Sequence, residues 1–167
     1  MIIGPDAEVW RIIGLVVAAM ILGGLIGVDR ELANRPAGLR THMLVAGSAA
    51  VFVVLGEILI RSYENGITTD NIVRSDPLRL IDAVITGVSF LGAGTIIQRS
   101  REHHRHEVEG LTTAASLLMS AAIGVAIAIG QFWLGVGVAV VSLITLRLLR
   151  WLEKWIGWRG NPHAHSS

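Results

Sequence analysis

The sequence predicts an all-α polytopic membrane protein, a bundle of five transmembrane helices. Three observations predict it. Hydrophobic residues make up 52% of the 167 residues, charged residues only 16%, and mean hydropathy is +0.60. A soluble domain averages nearer 25% charged. The apolar residues are clustered into five runs of 18 or 19 residues, close to the ~20 that cross a hydrocarbon core at 1.5 Å per residue. The runs do not alternate polar and apolar, as strands of a membrane barrel would. In lipid the backbone must satisfy its own hydrogen bonds, so helices remain.

The first run is Trp10 to Val28, with Arg11 near its start. Acidic Asp6 and Glu8 precede it, unlike the positive start of a secretory signal, so it reads as a retained helix. The second is Met43 to Ile60, with Glu57 near its end, and the third is Leu80 to Ile97, with Asp82 near its start. The fourth, Leu111 to Ile129, carries no charge. The fifth is Phe132 to Leu149, with Arg147 near its end. Only Gly130 and Gln131 separate the last two, which predicts a tight antiparallel hairpin. Residues 1–150 thus form one five-helix domain. In residues 151–167, "WLEKWIGWRG" reads as a short interfacial helix with aromatic and basic residues at headgroup level, and "NPHAHSS" as a disordered tail.

Ten of the fourteen basic residues fall on one side of these runs: Arg30, Arg35, Arg40, Arg99, Arg101, Arg105, Arg147, Arg150, Lys154 and Arg159. Arg11, Arg61, Arg74 and Arg79 fall on the other. The positive-inside rule places the ten in the cytoplasm, the N-terminus outside and the C-terminus inside. A net charge of +1 gives no electrostatic basis for binding nucleic acid, and with no cysteine there are no disulfides or thiolate metal sites.

Glycine is costly inside a water-exposed helix, about 1 kcal/mol relative to alanine. Between helices in lipid, small residues instead allow close backbone contact. Ala19, Gly23 and Gly27 form a spacing-four stripe on the first helix. Thr113, Ser116, Ser120 and Gly124 form one on the fourth, and Gly87, Gly92 and Gly94 mark the third. These are expected packing faces, with the third helix set against the first and fourth.

The strings "GGLIGVDRELANRPAGLRTHMLVAGSAAVF", "DPLRLIDAVITGVSFLGAGTII" and "GLTTAASLLMSAAIGVA" resemble, in order, three signature blocks of the MgtC/SapB family of bacterial membrane proteins. They cover most of residues 23 to 127. The resemblance implies about five transmembrane helices, a cytoplasmic C-terminus and an inner-membrane location. It also implies a role in adaptation to low Mg²⁺, in magnesium homeostasis and in virulence, exerted on other membrane proteins. Asp29 stands where the family usually has Glu. Ser89 stands where glycine is common, and Asp82 near a usual Gln. Many members continue into a soluble C-terminal domain. The chain ends at Ser167, so a short form is expected.

Three polar groups are candidate sites. Asp29, Arg30, Glu31, Arg35 and Arg40 form a charged block around the turn signals Pro36 and Gly38, with the two acids facing the three arginines. It reads either as a connector held by ion pairs or as an inner mouth that contacts an ion or partner. Glu57 and Asp82 lie ~3–6 Å inside the outer boundary and would suit a shared Mg²⁺, with Thr86 one turn on. The alternative is a Glu57–Arg61 pair at spacing four. "REHHRHEVE" holds His103, His104 and His106, which with His163 and His165 offer a weak zinc set and more simply a solvated loop. No nucleophile–base pair, phosphate loop or HExxH motif is present, so no enzyme and no bound cofactor are expected. The partners expected are the lipid bilayer, other membrane proteins and a second copy in a homodimer. The competing function is a cation transporter or channel.

Overall fold

The computed structural model describes residues 5–66, 78–102 and 110–159. Five helices account for nearly all of them: α1 (Pro5–Leu32), α2 (Leu39–Gly66), α3 (Leu78–Glu102), α4 (Leu111–Ala128) and α5 (Phe132–Arg159). All five are long and apolar enough to cross a membrane, and the described residues include no strand. The chain is a multi-pass membrane protein.

Four helices outrun their apolar cores. α1 starts at Pro5 and not Trp10, and it continues through Asp29 and Arg30 to Leu32. α2 starts at Leu39 and reaches Gly66, and α3 reaches Glu102. Hydropathy marks where lipid begins, whereas a helix ends where its hydrogen bonds do. The same distinction corrects the expected break after residue 150. α5 runs unbroken to Arg159, so the tryptophan-rich stretch is the last turns of α5 and not a separate interfacial helix. The expected disordered tail (160–167) and the histidines 103, 104, 106, 163 and 165 lie outside the described residues.

The hairpin between α4 and α5 is as tight as expected. Gly130 adopts φ +80°, a left-handed value open to glycine, and Gln131 donates its N–H to the Ala126 carbonyl at 2.9 Å.

α4 is the hub and touches all four other helices. α1 packs on α2, α4 and α5, while α3 touches α4 and, more sparsely, α2. The core along α1, α2, α4 and α5 is built from Ala19, Ala50, Val53, Ile123 and Ile127, all buried. α3 sits outside it. The expected contact between α3 and α1 does not form, because α2 and α4 already cover the small-residue face of α1.

Candidate functional site

The polar site is built where α1 turns into α2. Asn34 takes φ 52°, donates its N–H to Glu31 O at 2.9 Å, and is followed by an Arg35 N–H···O bond to Arg30 at 3.0 Å. This pair of bonds around a left-handed residue is a Schellman stop, with asparagine where glycine is commonest. Five residues after Asn34, α2 starts under a borrowed cap. Glu31 Oε2 accepts the Leu39 N–H at 2.8 Å. The turn is therefore fixed from both sides. One acid of the charged block, Glu31, serves the backbone and not an arginine.

The stop leaves the last turn of α1 inside the bundle. Asp29 and Arg30 are each only 3% exposed, and His42, at the start of α2, is fully buried. Asp29 Oδ1 accepts from Arg147 Nε at 3.2 Å and from Arg150 Nη2, both on α5. Arg30 Nη2 donates to Thr113 Oγ1 on α4 at 2.9 Å. His42 joins α2 to α4, with Nε2 3.1 Å from Ser116 Oγ and Nδ1 2.8 Å from the Gly38 carbonyl. Ser116 Oγ also lies 2.8 Å from the Thr113 carbonyl, and Ser120 donates to the Ser116 carbonyl at 3.2 Å. One polar layer thus ties four helices together.

This layer corrects the expected pairing. Asp29 meets arginines 118 and 121 residues away, while Arg35 and Arg40 point outward and are exposed. The reason is geometric. The Schellman stop directs the chain away after Leu32, whereas α5 runs past the end of α1. Two atoms in the layer, Asp29 Oδ2 and Arg30 Nε, are buried with no hydrogen-bond partner among the described residues. His42 was not singled out from the sequence. Its signal was its spacing: it stands four residues before Ala46 and Ala50 lies four further on, so the three share one face of α2.

The small-residue faces divide sharply. Ala19 is fully buried. A methyl group on Gly23 would meet Ala46 Cβ at 2.6 Å, and one on Gly27 would meet Leu39 Cα at 2.7 Å. Gly124 abuts the Ala46 backbone, and Gly92 faces Ala114. Thr113, Ser116 and Ser120 are buried on the same side of α4. Gly87 and Gly94 are the exceptions. Both are exposed, and nothing lies within 4 Å of where their Cβ would be. They are not packing positions within the chain, because α3 presents only its Val84–Val88–Gly92 side to the bundle.

At the other end of the bundle, Glu57 pairs with Arg61 one turn on. Asp82 is exposed, and it does not line the cavity of about 520 Å³ that Glu57 and Arg61 border with Arg11 and Gly130. The expected Mg²⁺ pair is not assembled. The described residues contain no group of three acidic or histidine side chains able to hold a metal.

The comparisons with known proteins agree with the signature blocks. The profile of the MgtC family matches residues 16–155. An uncharacterized protein of Haemophilus influenzae is 35% identical over 83% of this chain and 55% of its own length. "Putative magnesium transporter YhiD" of Escherichia coli K12 is 36% identical over 84% of this chain and 61% of its own. Protein MgtC of Salmonella typhimurium is 39% identical over 80% and 50%. The chain therefore spans about half to three-fifths of the length of these relatives. No solved structure matches it. The profile runs from the middle of α1 to the last turns of α5, across every helix and the whole polar layer, and the chain belongs to the MgtC family.

Proposed function

We propose that the chain is a bacterial inner-membrane protein that serves magnesium homeostasis and adaptation to low Mg²⁺ by modulating other membrane proteins, with its C-terminus in the cytoplasm. It is not an enzyme and does not bind nucleic acid. The observation that carries this reading is the closed middle of the bundle. Ala19, Ala50, Val53 and Ile123 fill it, and the Ser120 hydroxyl is turned into its own helix. Coupled transporters place their sites near the midplane. Here the charges stand toward the helix ends, and two of the acids are engaged there: Asp29 by two arginines and Glu57 by Arg61. The surface offered to a partner is the exposed Arg35 beside the fixed turn, together with the bare outer side of α3.

Reconstitution tests this. Liposomes holding only this chain are expected to show no Mg²⁺ influx above empty vesicles. Cells lacking the protein should grow poorly at low Mg²⁺, and Arg35→Gln should weaken rescue without lowering the amount of protein in the membrane.

A second reading, cation transport, is favoured by the name of YhiD and by the cavity beside Glu57. Influx that disappears in Glu57→Gln would establish it and displace the first.

A further inference from the structure

Between α2 and α3 the bundle opens into a groove of about 870 Å³. Its walls are almost wholly apolar, and it faces the lipid, because Leu44, Phe52, Gly87 and Leu91 on its two sides are exposed. It is not an even slot. At one end Leu80 lies so tightly over Gly56 that a methyl group there would collide with it. Away from this contact α2 and α3 separate, and Gly87 leaves the wall bare. The open end carries the polar lining: Arg40, Thr41 and, further in, Ser48. Arg40 is exposed and has no ion-pair partner among the described residues. Glu31 does not neutralise it. That carboxylate is bound to the Leu39 N–H, on the side of α2 that faces α1.

We propose that this groove is a binding site for one anionic phospholipid of the leaflet at the Arg40 end, with its phosphate on Arg40 and Thr41 and an acyl chain against Gly87. Three features select this occupant. The charge is complementary, since a guanidinium at headgroup level beside an apolar wall matches a phosphodiester on a hydrocarbon chain. The length agrees as well. From Arg40 at headgroup level to the Leu80 contact at Gly56 the wall rises about 24 Å at 1.5 Å per residue, close to the roughly 20–22 Å of one leaflet with its headgroup layer. Finally, Leu80 seated on Gly56 narrows the groove before its lining ends at Leu59, whereas a docked transmembrane helix needs the full thickness open. The proposal goes beyond the regulatory reading and does not depend on it.

Native mass spectrometry of the full chain tests it, after exchange from vesicles of phosphatidylglycerol mixed equally with phosphatidylcholine of the same acyl chains. One phosphatidylglycerol should remain bound per chain, in preference to phosphatidylcholine. Arg40→Gln should keep a lipid bound but lower that preference about fivefold, the factor for one basic residue at an anionic surface. Gly87→Leu should fill the groove and lose lipid of either kind, and Ser48→Phe should do the same from the α2 side. Gly94→Leu, on the same helix but away from the groove, should leave binding unchanged. Equal retention of both lipids by the unchanged chain would overturn the proposal. So would retention that survives both groove-filling variants. A dimer that Gly87→Leu abolishes, while lipid retention stays as it was, would also overturn it and assign the groove to a second copy.

Discussion

A carboxylate held inside a membrane span loses its hydration, and an unpaired buried charge costs several kcal/mol. Asp29 accepts hydrogen bonds from two guanidinium groups, yet they are not equivalent. The Arg147 side chain is 69% exposed and that of Arg150 is 31% exposed. Arg147→Gln is expected to lower stability by under ~1 kcal/mol, as exposed pairs do. Arg150→Gln should lower it more, by about 1–3 kcal/mol, because it leaves a buried acceptor short of a donor. Thermal unfolding of the two variants in one detergent gives the order directly. Thr113→Val is the matching test for Arg30. It keeps the shape but removes the acceptor of a buried guanidinium, with an expected loss again of about 1–3 kcal/mol. His42 yields a sharper expectation. The Gly38 carbonyl only accepts, so a neutral ring carries its proton on Nδ1, and the one Ser116 hydroxyl proton lies between the Thr113 carbonyl at 2.8 Å and the bare Nε2 at 3.1 Å. Nitrogen-15 chemical shifts of the ring should show the Nδ1–H tautomer, and Ser116→Ala should perturb Nε2 selectively. The sequence marked Asp29 and Arg30 as unusual because charge sat against an apolar run. It did not reveal their partners, since nothing local links residue 29 to residue 150.

The five elements were legible because hydropathy is a one-dimensional signal and each span is nearly one-dimensional. Their ends were less so. α5 continues through "WLEKWIGWR" because aromatic and basic residues suit both a helix and the headgroup layer. Glycine spacing identified contact faces on α1 and α4, where stripes of four residues coincide with real neighbours. On α3 the glycines at 87, 92 and 94 are not on one stripe, and only Gly92 meets a partner helix within the chain. Spacing reports which residues share a face but not what that face meets. A paired substitution measures the difference. Gly27→Ala forces Cβ onto the Leu39 backbone and should cost about 1–3 kcal/mol, whereas Gly87→Ala enters open space and should stay within about 0.5 kcal/mol.

At the scale of the whole molecule, α4 is the axis around which the others are arranged, and α3 is the least enclosed of them. The asymmetry of ten basic residues against four predicts an orientation that labelling can check. The chain has no cysteine, so one introduced thiol is the only reactive one. A cysteine at Arg35 should react with a membrane-impermeant maleimide only after the cells are opened. One at Gly130, in the α4–α5 turn, should react in intact cells whose outer membrane has been permeabilised. The reverse pattern would invert the assignment.

The bond between the first helix and the last also sets an order of events. Asp29 leaves the ribosome 118 to 121 residues ahead of the arginines that will hold it. At 5–20 residues per second that is a wait of roughly 6 to 24 seconds. During that time the clasp has only one half, and the growing chain stays open along the side that α5 will occupy. A nascent protein halted after α4 should therefore remain open to proteolysis near Asp29, and synthesis of α5 should close it.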